Sequence, residues 1–252
     1  MPDPHDSSFW KRLGVQILDL IYPQACALCG VGLTHGRALC DNCSMDLPRL
    51  EEPFCGMCGE MFQGKIDGPF SCPNCQDLKF SFAFARPALA HDEGTLGLIH
   101  RLKYGRQIHL ARELGHLASE AFADRRLAPA LAEKWPLVPV PLHRSRLRHR
   151  HFNQSAEISR ILAARTGLPV LNALRRIRRT DTQTQLSRKE RLANLRGAFV
   201  VTRQGQRWIE SAPEGAVLVD DVLTTGSTVN ECAKVLRSAG FSEVVVVTVM
   251  RG

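Results

Sequence analysis

The chain has 252 residues, 44% of them hydrophobic and 23% charged, with a formal net charge of +8. This length allows one α/β domain and a small additional module, and the composition is that of a globular protein. No apolar run approaches the roughly 20 residues of a membrane-spanning helix, which excludes a transmembrane protein.

The first 22 residues predict a short amphipathic helix. Phe9, Leu13, Ile17 and Leu20 recur at roughly helical spacing. Asp19 and the short length favour a helix packed on protein over a membrane anchor. The segment also lacks the basic start, apolar core and cleavage site of a secretory signal, so we expect a cytoplasmic protein without membrane insertion.

Residues 23–80 predict a double zinc ribbon. Eight of the nine cysteines form four C-x-x-C pairs, and 10 or 13 residues separate the two pairs of each half. This is the spacing of four-cysteine zinc sites, in which two tight turns complete one tetrahedron. We expect two structural zinc ions, since the segment has few core-forming residues. One would bind Cys26, Cys29, Cys40 and Cys43, and the other Cys55, Cys58, Cys72 and Cys75.

Other uses of these cysteines are weaker predictions. A disulfide framework would need an oxidising compartment, for which the sequence has no targeting signal. Four redox motifs within about 50 residues would be unusual. An interleaved pairing of the four C-x-x-C motifs stays open. Cys232 stands alone on the apolar side of a predicted helix, which favours a small core residue.

From residue 81 onward, strand and helix patterns alternate. This alternation predicts a doubly wound α/β domain with a parallel sheet over residues 81–252. The polar segment between the third and fourth strands lacks apolar periodicity and predicts a loop that runs into a helix. The predicted strands are 81–91, 136–141, 169–178, 216–221 and 243–250, and helices are expected at 94–127, with a break near Gly105, and at 155–167 and 227–240.

The basic charge of the chain is concentrated in one segment. Residues 143–203 contain 15 Lys and Arg against three acidic residues, a balance of +12, while the remainder has a balance of −4. Such a run can be a solvated face, a pyrophosphate site or a surface for a nucleic-acid backbone. The confinement of the charge indicates a localised anionic partner.

A strand, two acids and a hydroxyl-rich turn form the segment "VLVDDVLTTGST" at 217–228. Asp220 and Asp221 follow the apolar strand, where ligands bind in open α/β sheets. The turn into the next helix contains Thr224, Thr225, Gly226, Ser227 and Thr228. Its N–H groups and hydroxyls predict a site for a 5-phosphate, with the carboxylates on ribose hydroxyls. A simple helix cap and turn would explain only part of this set.

This segment resembles the PRPP-binding signature of type I phosphoribosyltransferases. The wider chain resembles the ComF family, which is linked to competence and DNA utilisation. The shared motifs are the cysteine pairs, "LKYG" at 102–105, "VPVPLHRSRLRHRHFNQS" at 138–155 and "TQTQLSRKERLANLRGAF" at 182–199. The chain has His151 where the family usually has a glycine before "FNQ".

The resemblance implies a type I phosphoribosyltransferase-like fold that binds PRPP with Mg²⁺. Asp220 and Asp221 would be the catalytic candidates if the protein is an enzyme. Residues 144–150, after the strand at 136–141, would form a loop that contacts pyrophosphate, and residues 178–194 would form a loop that closes over the site. The residues implied in pyrophosphate or nucleic-acid contact are Arg144, Arg146, Arg148, Arg150, Arg188, Lys189 and Arg191, with Lys103 as a weaker candidate.

Three functions remain open on these residues. The first is a Mg²⁺-dependent phosphoribosyltransferase of nucleotide metabolism, for which no acceptor pocket is identified. The second is a binding protein that retains a PRPP or ribose 5-phosphate site and acts on single-stranded DNA together with uptake or recombination proteins. The third is a structural zinc adaptor with a vestigial site. The intact motif favours retained ligand binding.

Overall fold

The computed structural model describes residues 25–33, 36–62, 64, 66, 68, 70–76, 78–179, 195–211 and 213–252. The chain divides into two compact units, residues 1–47 and 48–252. The division falls inside the predicted double ribbon, and the predicted N-terminal helix lies outside the described residues. The limits 1–22, 23–80 and 81–252 therefore stay a prediction.

The first unit contains one zinc ribbon half, built from a tight turn and a short helix. The amide of Cys26 donates to the carbonyl of Val31 at 2.7 Å, and Gly30 closes the turn with a φ of 78°. Helix α1, Asp41–Asp46, begins after Cys40, whose sulfur caps it. The turn and the helix start bring two cysteine pairs together.

The second unit contains the other ribbon half and the α/β domain. Two short 3₁₀ turns, Glu120–Ala123 and Arg125–Leu127, precede the helix Ala128–Ala132. Within the part of the chain described, no helix has the length and hydrophobicity needed to cross a bilayer. The elements are α2 (Pro73–Gln76), β1 (Ala85–Leu89), α3 (Glu93–Tyr104), α4 (Leu110–Ser119), α5 (Ala128–Ala132), β2 (Leu137–Pro139), α6 (Arg144–Arg150), α7 (Gln154–Thr166), β3 (Leu174–Arg176), β4 (Phe199–Val201), α8 (Arg203–Ile209), β5 (Gly215–Leu223), α9 (Ser227–Ala239) and β6 (Glu243–Arg251).

Four strands form a parallel sheet in the order β1-β6-β5-β2. Val217 in β5 lies opposite Val245 in β6 and Leu137 in β2, and all three are buried. Buried apolar side chains on both faces explain the near-continuous hydrophobic runs of β5 and β6. The mixed α/β fold with a parallel sheet is confirmed and is consistent with a type I phosphoribosyltransferase-like domain.

The two faces of the sheet are covered by different elements. Ala216, Leu218 and Val246 belong to a core shared with α9, the β3–β4 pair and the second ribbon. Cys232 lies fully buried in this core, as predicted. On the other face α4 packs against α7, and a Cβ at Gly115 would lie 2.6 Å from the Cβ of Ile161. Glycine therefore permits the close approach of these helices.

The basic segment after β2 differs from the prediction. Residues 144–150 were expected as a loop and form helix α6 instead. His151 ends that helix with a φ of 68°, and its amide donates to the carbonyl of Leu147 at 2.7 Å. The tight turn therefore forms with histidine in the position where the family usually has glycine, because the helix C-cap hydrogen bond holds the left-handed backbone.

The described residues of 169–179 and 195–209 also differ in part from the prediction. The strand predicted for 169–178 is limited to β3, Leu174–Arg176, which pairs antiparallel with β4 outside the parallel sheet. Strand β4 and helix α8 were not predicted from the sequence. The predicted closing loop, residues 178–194, lies largely outside the described residues.

Candidate functional site

Each unit contains one four-cysteine cluster, so the pairing is consecutive rather than interleaved. Within each cluster the four sulfur atoms lie within 4.8 Å of one another. The Sγ atoms of Cys29 and Cys40 are 3.7 Å apart, as are those of Cys58 and Cys72. A tetrahedral zinc site with Zn–S bonds of about 2.3 Å has edges of about 3.8 Å. A disulfide would need about 2.05 Å. Both clusters therefore fit one structural zinc ion each.

Backbone amides stabilise the thiolate of the first cysteine in each cluster. The amide of Cys40 donates to Cys26 Sγ at 3.4 Å, and that of Cys72 donates to Cys55 Sγ at 3.3 Å. Burial raises the pKa of both thiols, but these and adjacent amides outweigh it. They bring the pKa to about 6 for Cys26 and about 7 for Cys55. These amides favour the form that binds a metal.

The other thiols of the second cluster need a cation. Burial and the charge of Cys58 raise the pKa of Cys72 to about 11, and burial with the hydrogen bond to Cys58 raises that of Cys75. Four adjacent thiolates repel one another in a buried position, so all four ionise together only around a cation. A zinc ion would supply that charge and tie the chain together.

The acid pair lies near the carboxyl end of β5, two residues before the strand ends. Asp221 is buried, and its Oδ2 lies 2.7 Å from the Nζ of Lys103 at the end of α3. Asp220 has an intermediate overall exposure, but its carboxyl group lies deep in the fold, where Oδ1 accepts the hydroxyl of Ser155 at 2.9 Å. Three elements that are distant in sequence therefore meet at the two carboxylates.

The two carboxyl groups have different electrostatic surroundings. Burial, then the charge of Asp221, raises the pKa of Asp220 to about 7, although Lys103 and Ser155 oppose the shift. Asp221 instead has a cation in direct contact. At neutral pH Asp220 is therefore close to half protonated and can exchange a proton.

The hydroxyl-rich turn follows directly. Gly226 adopts a φ of 74° and is the N-cap of α9, where it offers no capping side chain. The hydroxyls of Thr225 and Ser227 lie 2.8 Å apart. The first amides of α9 thus face a turn rich in hydroxyl groups, an arrangement that suits an anion. Thr224 and Thr228 flank this turn, and the side chains of both are at least partly exposed.

The "FNQS" motif at 152–155 positions Ser155 against the acid pair. Asn153 caps α7 by accepting the amide of Ser155 at 3.2 Å, and its Nδ2 donates to the carbonyl of Val140 at 3.0 Å. These bonds fix the end of β2 relative to the start of α7. The role of Ser155 was not predicted from the sequence, where the motif counted only toward the family resemblance. Its signal was an Asn-x-Ser cap that follows a strand.

The predicted basic residues separate into groups in the structure. Arg144 and Arg148 are exposed, and Arg146 is partly buried. Burial lowers the pKa of Arg176 in β3, and the charge of Arg146 lowers it further, while Asp220 opposes the shift. Arg146 and Arg176 therefore lie within electrostatic range of each other, and Arg176 within range of the acid pair. The predicted Arg188, Lys189 and Arg191 lie outside the described residues.

Arg150 was predicted to contact pyrophosphate, and in the structure it contacts Gln154 and Tyr104. It is 8% exposed, its Nη1 donates to Gln154 Oε1 at 3.2 Å, and its guanidinium lies 5.0 Å from the ring centre of Tyr104. A pyrophosphate role for this residue stays a prediction.

The second ribbon contributes to the wall around the hydroxyl-rich turn. Arg251 is a residue that the sequence analysis missed. It donates to the carbonyls of Leu223 and Thr224 at 2.7 and 2.8 Å, and its other terminal nitrogen lies 2.5 Å from Glu60 in the ribbon. Stacked Phe80 and Phe82, which follow the ribbon, lie against Gly226, within 4 Å of where its Cβ would be. Direct contacts thus join the second ribbon to the hydroxyl-rich turn.

A groove of about 1010 Å³ lies between the second ribbon and residues 123–126. Two of its three arginines, Arg86 and Arg126, already have partners. Arg126 pairs with Asp124 at 2.7 Å and donates to the carbonyl of Gly56 at 2.7 Å. Arg86 also pairs with Asp124, at 3.2 Å, and lies 4.6 Å from the centre of the Phe54 ring. These contacts indicate a packing interface that holds the ribbon on the sheet, rather than the predicted ligand site.

Comparison with known proteins finds a matching family model and several similar proteins. A family model described as a double zinc ribbon domain matches residues 17–77. Competence protein F of Haemophilus influenzae is 33% identical over 209 residues, which cover 82% of this chain and 88% of that protein. DNA utilization protein YhgH of Escherichia coli strain K12 is 31% identical over 232 residues, covering 89% and 96%. Competence protein ComFC of Streptococcus pneumoniae is 26% identical over 84% and 87%.

The similarity to these relatives covers more than four fifths of this chain and of each relative. The ribbon family model spans both four-cysteine clusters. From this identity and coverage we conclude that the chain belongs to the family of competence protein F and the DNA utilization proteins YhgH.

Proposed function

We propose that this protein acts in the cytoplasm in the uptake or processing of single-stranded DNA, and that it binds PRPP or a related ribose 5-phosphate at residues 220–228. The names of its relatives, competence protein and DNA utilization protein, support the DNA role. One observation supports the ligand above the others. Paired carboxylates on β5 are followed, within five residues, by a left-handed glycine and by a helix start whose N-cap residue offers no side chain. Proteins of DNA uptake or recombination would be its partners.

The hydroxyl-rich turn would bind the 5-phosphate. Amides in the first turn of α9 and the hydroxyls of Thr225, Ser227 and Thr228 are suitable donors. Gly226 gives the turn its left-handed backbone, with a φ of 74° that residues with a Cβ rarely adopt. No cation is needed for this part of the site, because helix amides already favour an anion.

The acid pair would accept the ribose hydroxyls. Carboxylates repel a bare phosphate, so their position beside the turn favours a ligand with hydroxyl groups between its phosphates. Arg146 and Arg176 would offset the charge of the pyrophosphate. Mg²⁺ would be brought by the ligand and held by pyrophosphate and ribose oxygens, as hard cations prefer. Asp220 and Asp221 would anchor the sugar whether or not a reaction follows.

An active phosphoribosyltransferase is the second candidate function, and the pKa of Asp220 favours it. In that reaction an acceptor nitrogen bonds to the anomeric carbon while the bond to the pyrophosphate oxygen breaks and pyrophosphate leaves with its electron pair. The acceptor loses a proton. A carboxylate with a pKa of about 7 can take that proton near neutral pH. No pocket for an acceptor is identified among the described residues.

Calorimetric titration of the zinc-loaded protein with PRPP, with and without Mg²⁺, tests the ligand site. We expect Mg²⁺-dependent binding at about one site per chain. Ribose 5-phosphate should bind more weakly and with little dependence on Mg²⁺, since it lacks the pyrophosphate. Absence of heat with both ligands would contradict the site. Binding of pyrophosphate alone as tightly as PRPP would contradict the role of the acid pair.

We expect Arg144→Ala combined with Arg148→Ala to weaken binding of single-stranded DNA. Both side chains are exposed on α6 and can reach phosphates without displacing a partner in the core. Each phosphate contact on a single strand contributes about 0.7 to the slope of log K against log salt, so the slope should fall by about 1.4. Fluorescence anisotropy of a labelled oligonucleotide across a salt series measures both effects.

The matched control is Lys234→Ala with Arg237→Ala, which removes two exposed cations from α9. Equal loss of affinity in the two double variants would mean that only net charge matters. Unchanged affinity of the α6 variant would remove α6 from the DNA surface. Arg150 is left intact because its burial would mix binding with stability.

A further inference from the structure

Tyr104, the last residue of α3, is an exposed aromatic side chain on a basic surface. Its side chain is 66% exposed, and it directly follows Lys103, which pairs with Asp221. A large exposed aromatic ring beside a candidate ligand site needs a physical reason, since burying such a ring would stabilise the fold.

The ring has contacts on two sides. The guanidinium of Arg150 lies 5.0 Å from its centre, and Arg150 is itself buried and bonded to Gln154 at 3.2 Å. His100, one helical turn earlier, meets the ring edge-on with centroids 5.8 Å apart. If the ring served only to cover Arg150, burying the ring would stabilise the fold further. The ring contacts Arg150 and His100 and still keeps most of its surface in solvent.

The surroundings of the ring are positively charged. Arg106, two residues after Tyr104, is exposed, and its Nη2 donates to the carbonyl of His149 at 3.2 Å. This bond ties the turn after α3 to α6, where Arg148 is also exposed. The ring therefore lies between two cationic segments, an arrangement that fits a chain of phosphates with a flat group between them.

We propose that Tyr104 is a stacking platform for one base of single-stranded DNA, with Arg106 and Arg148 on the adjacent phosphates. An exposed aromatic ring stacks on the π-face of any base, and only an unpaired strand offers that face. The cation beneath the ring and the arginines beside it favour a nucleic acid over an apolar protein segment. This inference rests on the proposed role with single-stranded DNA and identifies the surface that would recognise the strand.

The test uses the zinc-loaded full chain and a fluorescein-labelled oligomer of about 20 thymidines, longer than the site of a single-strand binding module. Tyr104→Leu keeps an apolar side chain and removes the ring, and we expect it to weaken binding by about 5- to 100-fold, since stacking of one base has that effect. Tyr104→Phe, the matched control, keeps the ring and should bind within about twofold of the wild type. An abasic deoxyribose-phosphate oligomer should not distinguish the three proteins.

A second readout separates stacking from loss of structure. Tyr104→Trp should bind the oligomer, and its fluorescence should be quenched by the DNA beyond the quenching of the three native tryptophans in the wild type. Zinc content and PRPP titration of each variant report whether the fold is kept.

The outcomes are distinct. If the wild type binds the oligomer and Tyr104→Leu binds it equally well, this inference is overturned while the proposed function stands, and the ring then serves a protein partner. An equal loss of affinity for the abasic oligomer in Tyr104→Leu also overturns the inference, since that oligomer has no base to stack. If the wild type does not bind the oligomer, the proposed DNA role and this inference both fail. Quenching in the Trp variant with a weakened Leu variant supports the platform.

Discussion

Replacement of Asp220 and Asp221 together by asparagine is expected to abolish PRPP binding while the protein stays folded. Hydrogen bonds to charged groups contribute about 1.5–3 kcal/mol each, so loss of two carboxylate contacts should raise the dissociation constant at least about 100-fold. The two replacements act in opposite directions on folding. Asp221→Asn leaves Lys103 without its partner, whereas Asp220→Asn removes a carboxyl group whose ionisation burial opposes. Calorimetry with PRPP and Mg²⁺ measures the binding.

The control for this variant is Glu210→Gln with Glu243→Gln, which removes two exposed acids and gives the same change in net charge. It should bind PRPP as the wild type does. Binding of PRPP by the Asp220/Asp221 variant at wild-type affinity would refute the ligand site, and with it the proposed sugar contacts.

The raised pKa of Asp220 adds a pH signature to the same prediction. The folded protein keeps a proton on this carboxyl up to about pH 7, whereas the unfolded chain loses it near pH 4. Between those values the group makes the free energy of unfolding fall as pH rises, and above pH 7 its full cost is present. Asp220→Asn has no such cost. Its melting temperature relative to the wild type should therefore be higher at about pH 8 than at about pH 5, and an unchanged difference would contradict the raised pKa.

Removal of zinc is expected to unfold both ribbon halves and to release about two ions per chain. The first cluster should lose its ion sooner, because Cys29 is exposed and Cys40 and Cys43 are partly exposed, while all four cysteines of the second cluster are buried. Binding of structural zinc contributes about 10–16 kcal/mol to folding in small zinc domains, so the effect should be the largest of any single perturbation here. A colorimetric chelator assay follows both phases.

Two single variants assign these phases. Cys29→Ser should remove the fast phase and Cys58→Ser the slow one, each leaving about one ion per chain. Release of one ion from the wild type, or a loss of both phases in either variant, would contradict two independent zinc sites.

The features that the sequence predicted are those with local causes. Four C-x-x-C pairs predicted the clusters because two short turns suffice to bring the sulfurs together. The runs in β5 and β6 predicted buried parallel strands, since both faces of each strand are apolar. The turn at Gly226 was predicted because its glycine and hydroxyl residues are adjacent in sequence.

The features that the sequence did not predict depend on contacts between distant residues. Ser155 lies 65 positions from Asp220, and no local pattern connects them. Arg150 belongs to a charge run that is usually solvated, yet it is buried because Tyr104 and Gln154 offset the loss of water. Helix α6 has no apolar periodicity to identify it. Its cap at His143 and its left-handed end at His151 define it only in the folded chain.

Arg251 joins the second ribbon to the hydroxyl-rich turn, and this has a thermodynamic consequence. Its guanidinium bonds Leu223 and Thr224 on one side and Glu60 on the other, with its side chain only 11% exposed. Two sites that share a rigid connection influence each other's affinity, and such coupling is reciprocal. A ribbon that holds its metal would preorganise the turn, and a sugar phosphate in the turn would in equal measure tighten the hold of the second cluster on its metal. Zinc in this ribbon would therefore act as an effector of the proposed ligand site as well as a structural support.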